Sequence, residues 1–373
     1  MTLREVRAKS LLRKGPRVDS WFLAGCGMNL YRGCVHDCAY CDGRAEKYAV
    51  EGEFGREVAV KLNAPELLRR ELDPPRRRGP QPSGYILLGG GVGDSYQPAE
   101  ERYRLARAAL GVLLELGRPV HVLTKSTLVE RDLDLLLAIH ARARVIVSMS
   151  FSCVDDGLAD RFEPGVPAPS ERLRLLERCR RAGLPTGMFL MPVLPFLTDT
   201  EEALGRTIRG ASDAGVDFIL FGGLTLKPGR QKEHFLGVLS AFRPELAERY
   251  RRLYPERGQA PGRYDREILR RFAAIAGAAR IPARIPPELY EGLLSPAERA
   301  LVALEHLQYL LELRGQDSPF GDAAKALAAR PEVAEPGQLD LFPAAGLAPA
   351  AAEVLAELRR TGKCAQLERL LRG

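Results

Sequence analysis

Three cysteines crowd one short segment, GMNLYRGCVHDCAYCDGR, in which Cys34, Cys38 and Cys41 stand in a C-x3-C-x2-C spacing. A thiolate is a soft ligand, suited to iron or zinc. Three of them on one loop hold three irons of a cubane cluster, and a four-iron cluster held wholly by protein needs a fourth cysteine. With three, one iron stays open to an exogenous ligand, which is what chemistry on that ligand requires. The same spacing also admits a structural zinc site completed by His36 or Cys26. Zinc pairs usually come from two knuckles separated in sequence, and no second Cys or His pair follows here, which favours iron while leaving zinc open.

The elements that must position this loop repeat along the first two thirds of the chain. Short β-rich runs at residues 21–24, 85–88, 120–123, 145–149, 186–191 and 218–221 alternate with amphipathic segments at 66–72, 100–116, 128–140, 170–182 and 201–214. Consecutive βα units predict an α/β fold, either an open barrel or a doubly wound parallel sheet, and in both the site lies at the carboxyl ends of the strands. Residues 1–19 read as an N-terminal arm and 20–227 as the repeat. Residues 228–314 read as a helical or mixed extension, 315–348 as a flexible Ala, Pro and Gly-rich tether, and 349–373 as one closing helix.

The 373 residues are 46% hydrophobic and 28% charged, a globular balance. No run of about 18 apolar residues is present, and the charged start MTLREVRAKSLLRK lacks an apolar core, so a cytoplasmic protein without membrane spans is expected. Fifty-five Lys and Arg against 48 Asp and Glu leave a net charge of +7, a surplus that favours acidic partners such as nucleic acid. The arginines group at Arg76, Arg77 and Arg78, at Arg249, Arg251 and Arg252, and at Arg270 and Arg271, although each group also fits a solvated face. Seven cysteines, an odd number, argue for metal or redox chemistry over a disulfide framework.

The cysteine loop after the first strand resembles the signature of the radical S-adenosylmethionine (SAM) enzymes. That resemblance implies a 4Fe-4S cluster whose open iron chelates the amino and carboxylate groups of SAM. An electron from an external donor then splits the sulfonium, and the resulting 5′-deoxyadenosyl radical takes a hydrogen atom from the substrate. Tyr40 matches the aromatic position beside the adenine.

Further stretches extend the likeness: GDSYQPAEERYRLARAAL, VHVLTKSTLVERDLDLL, VIVSMSFSCVDDGLADRFEPGVPAPSERLRLLERCRRAGLP and GMFLMPVLPFLTD. With NLYRGCVHDCAYC they look like the spore photoproduct lyase-like family, which includes DNA-repair members, over roughly residues 20–226. This likeness implies a partial (β/α)6 TIM-type barrel and a lyase-like enzyme. Lys125 in LTKS and Ser148 in VSMS match a lysine and a serine that help hold the cofactor: a cation faces the methionine carboxylate and a hydroxyl adds a neutral hydrogen bond.

Gly89, Gly90 and Gly91 follow the second strand, where bare backbone approaches a ligand closely. Asp94 is placed to accept a hydrogen bond from the nucleoside or substrate, or to cap the helix near Pro98. Two positions depart from the photoproduct lyases. Gly91 stands where they carry a hydrogen-donating cysteine, and Asp42 where they carry a tyrosine. A relay ending in a thiol and a phenol cannot run through glycine and aspartate, so thymine-dimer chemistry is not implied. Cys153, after the fourth strand, and Tyr96, after the second, are the replacement donors to consider, while Cys26, Cys179 and Cys364 read as core.

Within the tether, Gln338, Leu339, Asp340, Leu341 and Phe342 resemble the short peptide by which bacterial replication and repair proteins bind the sliding clamp, or else pack back on the enzyme. The expected function is thus radical chemistry on nucleic acid, as DNA lesion repair or base modification. The alternatives are the same chemistry on a small molecule, peptide or RNA, and a non-catalytic, zinc-containing adaptor of the clamp.

Overall fold

The βα alternation forms a curled seven-stranded sheet, the half-barrel of a partial TIM-type fold, in a computed structural model that describes residues 1–48, 52–73, 82–90, 93–256, 258–330 and 347–372. Its strands are β2 (Leu12–Asp19), β3 (Ala24–Met28), β6 (Tyr85–Gly89), β7 (Val120–Thr124), β8 (Val145–Phe151), β9 (Thr186–Val193) and β10 (Phe218–Gly223), in the order β10-β9-β8-β7-β6-β3-β2. All neighbours pair in parallel except β2, which runs antiparallel to β3. A second sheet, β1 (Thr2–Val6), β5 (Glu57–Lys61) and β4 (Tyr31–Arg32), braces the segment that leads into the cysteine loop.

The parallel strands read as near-continuous apolar runs because both faces are covered. On β8, Val145, Val147, Met149 and Phe151 pack against helices, and Ile146 packs inside the barrel. Successive side chains alternate between faces, so Ser148 and Ser150 share the inner face. The covering helices are α1 (Ala64–Leu72), α2 (Ala99–Tyr103), α3 (Leu105–Glu115), α4 (Leu133–Arg142), α5 (Asp156–Phe162), α6 (Pro169–Arg181) and α7 (Glu201–Asp213). Then follow α8 (Arg230–Phe242), α9 (Pro244–Leu253), α10 (Gly262–Ala278), α11 (Pro296–Leu313), α12 (Phe320–Ala328), α13 (Pro349–Thr361) and α14 (Ala365–Arg372). Ile285, Tyr290 and Val302 from the C-terminal half join Tyr85, Phe189 and Phe218 in the inner core. No helix among the described residues is long and apolar enough to cross a membrane.

Several boundaries differ from the sequence expectation. The first barrel strand covers Ala24–Met28 instead of 21–24, because Asp19 Oδ1 accepts from the backbone N–H groups of Trp21 (2.8 Å) and Phe22 (3.3 Å) and turns the chain there. Residues 1–19 supply β1 and β2 and so are built into both sheets. The expected helix at 100–116 is two helices, since Arg104 takes a left-handed φ of 50° between them. The helix expected from residue 128 opens as a 3-10 turn, Thr127–Asp132, capped by Ser126.

Part of the expected tether is α12, which buries Phe320, Ala323 and Leu327 in the main core and is held by Gln308, whose Oε1 accepts from Gly321 N at 2.9 Å. The closing helix is likewise two, α13 and α14, separated at Gly362, whose φ of 69° ends α13. Arg76, Arg77 and Arg78, Gly91, and the peptide Gln338 to Phe342 lie outside the described residues.

If α12 is a docked helix, Phe320→Ala removes a fully buried ring. We expect a loss of about 3 kcal/mol in urea unfolding and faster protease cleavage within residues 315–330. A free tether would show neither change.

Candidate active site

The cysteine loop leaves β4 at Gly33, whose φ of 89° turns the chain across the mouth of the barrel. Gln97, fully buried, clamps this turn: its Nε2 donates to Gly33 O at 3.0 Å and its Oε1 accepts from Val35 N at 3.1 Å. Farther along, Arg44 reaches back to donate to Cys38 O at 3.3 Å and pairs with Asp37, with its guanidinium stacked on Phe54. Gln231 of α8, also fully buried, donates to Tyr40 O at 2.9 Å and to Asp42 Oδ1 at 3.1 Å. Every turn of the loop therefore has a side chain fixing its backbone.

Cys34, Cys38 and Cys41 are free thiols on this loop, and Cys34 and Cys38 are buried. Burial pushes the pKa values of all three up, and Cys41 adds to the rise at Cys34 and Cys38. Buried thiolates of this kind need a cation to compensate them, and a metal centre would supply it. Among the described residues no three His, Cys, Asp or Glu side chains converge on a single metal ion. Tetrahedral zinc would require such convergence at about 2.3 Å from each sulfur. A cubane takes each thiolate on a different iron, so the donor set fits a cluster.

The fourth ligands considered for zinc are also engaged elsewhere. Cys26 sits in the core between sheet and helices, and His36 Nδ1 faces Asp94 Oδ2 at 3.5 Å.

Beside the loop, one buried carboxylate organises the strand ends. Glu163, between α5 and α6, is 1% exposed at its side chain and accepts from Arg172 Nη2 at 2.7 Å, Lys125 Nζ at 3.1 Å, Ser152 Oγ at 2.9 Å and the Tyr40 hydroxyl. Burial alone would raise its pKa, but Arg172 and then Lys125, with the Tyr40 and Ser152 hydrogen bonds, hold it down at about 2. Lys125 also donates to Ser150 O at 3.4 Å and stands 5.5 Å from the centre of the Tyr40 ring. An ammonium has three donors. One therefore remains for an external acceptor such as an amino-acid carboxylate.

Three sequence expectations need correction. Asp94 is saturated by protein donors: Oδ1 accepts from Thr124 Oγ1 (2.7 Å) and Tyr96 N (2.8 Å), and Oδ2 from Lys125 N (2.8 Å). It ties the loop after β6 to the end of β7 and does not cap α2 through its side chain. Ser148 lies too deep. It is fully buried and bonded at 2.8 Å to His121 Nε2. His121 Nδ1 faces the Phe22 carbonyl at 2.9 Å, so Nδ1 carries the proton and Nε2 accepts from Ser148.

Ser150, two residues on and on the same face, is the serine at the mouth, with its hydroxyl donating to Met191 O at 3.1 Å. Tyr96 is fully buried in the helix-facing core, which removes it as a donor to a barrel substrate. Gly90, with a φ of 78°, does reach the mouth. Its neighbour Gly89 has a φ of 115°, and a Cβ there would stand 2.1 Å from Leu123 O. Cys153, two residues beyond β8, keeps its proton at neutral pH because burial pushes its pKa up to about 11.

Sequence reasoning missed Glu163, Arg172, Gln97 and Ser150. Glu163 and Arg172 stand within the quoted motif, but nothing in their types announces burial. Ser150 was legible, since the VSMSF alternation puts it on the face of Ser148 and nearer the strand end.

Comparison with known proteins agrees with this geometry. Residues 28–208 match the family model of the Radical SAM superfamily. An uncharacterised protein of Mycobacterium tuberculosis is 36% identical over 312 residues, covering 81% of this chain and 88% of that one. One of Methanocaldococcus jannaschii is 29% identical over 210 residues, covering 56% and 74%. Among solved structures, a spore photoproduct lyase variant superposes with a TM-score of 0.55 at 15% identity, over 74% of this chain and 79% of that one. Another variant, with bound AdoMet and dinucleoside spore photoproduct, gives 0.53 at 16% identity over the same shares.

Each tenfold change in proton affinity is about 1.4 kcal/mol, so holding Glu163 near 2 instead of about 4.5 contributes about 3 kcal/mol above the unfolded pKa. The contribution is complete at pH 7 and is lost as pH falls from about 4.5 toward 2. Glu163→Gln strands two buried cations, and we expect it to cost about 3–5 kcal/mol at pH 7 in urea unfolding. The gap between wild type and variant should narrow by about half at pH 3. An equal gap at both pH values would show that the carboxylate is not held down.

Proposed function

The chain belongs to the radical SAM superfamily, with a fold similar to that of spore photoproduct lyase, and from that premise we propose a lyase-like enzyme that carries a 4Fe-4S cluster on Cys34, Cys38 and Cys41 and acts on nucleic acid, with DNA repair or base modification as its task. The observation that carries the reading is the placement of Lys125, with a donor to spare, beside the three free thiols of the cysteine loop at the barrel mouth. When bound, cluster and SAM supply a 5′-deoxyadenosyl radical.

In this reading Lys125 binds the methionine carboxylate and is aimed by Glu163, while Ser150 offers its remaining lone pair to the amino group. Tyr40 is the aromatic wall beside the adenine, and Gly90 admits the ligand without side-chain obstruction. Cys153, as an S–H group beside Ser152, is the hydrogen-atom donor to a product radical.

Support for nucleic acid comes from the net charge of +7 and from the related fold that binds a dinucleoside photoproduct. Gly91 and Asp42 direct the proposal away from thymine-dimer reversal. Anaerobic reconstitution should load about four irons with matching sulfide, and Cys38→Ala should lose them. Dithionite and SAM should then yield 5′-deoxyadenosine, more of it with DNA present, and Cys153→Ala should form it with a lower yield of repaired or modified product. Zinc in place of iron, or turnover indifferent to every nucleic acid, would overturn the reading.

An external electron donor is required as one partner. For a second partner, a bacterial sliding clamp, the support is the QLDLF sequence between Pro336 and Pro343. Purified protein should bind a clamp, and Leu341→Ala with Phe342→Ala should abolish binding; retained binding by the double variant removes the clamp from the account.

A further inference from the structure

Beyond Gly90 the barrel continues sideways into a cleft of about 1220 Å³ that runs past β2 to α11 and α12. Its inner wall is bare: Gly25 and Gly27 on β3 present no side chains, and Leu87 of β6 lies beside them. In its outer wall stands Arg284, from the segment between α10 and α11. Its guanidinium lies 4.3 Å from the centre of the Trp21 ring and 3.3 Å from the centre of the Tyr309 ring, two rings that meet edge to face.

Arg284 is 3% exposed, yet poorly satisfied. Nη1 donates to Ala283 O at 3.4 Å, and Nε has no hydrogen-bond acceptor among the described residues. The nearest carboxylates are committed: Glu305 pairs with Arg17, and Asp19 Oδ1 accepts two backbone N–H groups. A buried cation with an unmet donor is costly, and an apolar side chain of similar size would fill the space more cheaply. A guanidinium held in place by two rings, without a carboxylate partner, is instead preorganised for an oxyanion. Arg13 and Lys14, exposed on the edge strand β2, carry positive charge along the same cleft toward solvent, and Lys325 on α12, paired with Asp322, borders it.

We propose that this cleft is where a single strand of nucleic acid enters the barrel, with Arg284 binding a backbone phosphate and Arg13, Lys14 and Lys325 guiding the strand outward. The inference rests on the nucleic-acid reading above and locates the substrate. In this reading the target nucleotide is unpaired or extruded, as it is in enzymes that act on a base. A carboxylate would meet the same fork, which makes an acidic peptide the competing ligand.

Trp21 is the only tryptophan of the chain, so its fluorescence reports on this cleft alone. Full-length protein without SAM or reductant should show saturable Trp21 quenching by short DNA and RNA oligonucleotides and none by an acidic peptide. Arg284→Met should weaken binding about tenfold or more, with near-UV circular dichroism to confirm the fold. Should that variant not fold, Arg13→Glu with Lys14→Glu, both exposed, should weaken binding and lower the salt dependence by about two phosphate contacts.

Arg56→Ala, on an unrelated surface, should change nothing. Unchanged affinity in the cleft variants, or quenching by the peptide and not the oligonucleotides, would overturn the inference. If 5′-deoxyadenosine still forms in response to DNA while Trp21 stays silent, the cleft fails and the enzymatic reading stands. The reverse result leaves the cleft and removes the enzyme.

Discussion

A carboxylate with almost no access to water fixes the geometry at the mouth of this barrel. Taking Glu163 out of water costs several kcal/mol, which is recovered only because Arg172, Lys125, Tyr40 and Ser152 all point at its two oxygens. Those four partners come from α6, the end of β7, the cysteine loop and the end of β8. Removing the charge would therefore do more than break an ion pair. It would loosen the cysteine loop from the strand ends that carry Lys125 and Ser152.

Asp94 does the matching work on the other side with a different chemistry. Its partners are mainly neutral donors, from Thr124, the backbone of Tyr96 and the backbone of Lys125. Lys125 is thus held twice, by its N–H through Asp94 and by its ammonium through Glu163. A side chain with four rotatable bonds loses much entropy when ordered. Fixing it in the protein alone means that a ligand does not bear that loss on binding, which is the sense in which the site is preorganised.

The sequence disclosed the fold through hydrophobic period and the metal loop through spacing, because both are properties of residue type and order. It misplaced what depends on depth. Ser148 and Ser150 are indistinguishable by type and face, and only the length of β8 decides which reaches the mouth. Asp94 and Tyr96 looked available because both follow a strand, but hydrogen-bond saturation of the one and burial of the other become visible only in three dimensions. The first strand was set three residues early because Trp21 and Phe22 have strong β propensity, and a local cap from Asp19 overrides it. Gly362 was readable as a helix stop, since glycine after a helix ends it by adopting positive φ.

The division into a barrel up to residue 227 and a separate extension after it describes the sequence pattern better than the site. Gln231, on the first turn of α8, places one amide on both Tyr40 O and Asp42 Oδ1, and Lys227 pairs with Asp42 from the segment just before it. Asp42 stands where the photoproduct lyases have a tyrosine, and here its carboxylate is an anchor for the C-terminal half. Glu46 adds a further tie, accepting from Arg230 N at 2.8 Å. Ile285 and Tyr290 fill the inner barrel, and Arg284, next to Ile285, packs against the Trp21 ring. The cysteine loop is consequently gripped from both halves of the chain, and Asp42 is the residue through which the second half takes hold.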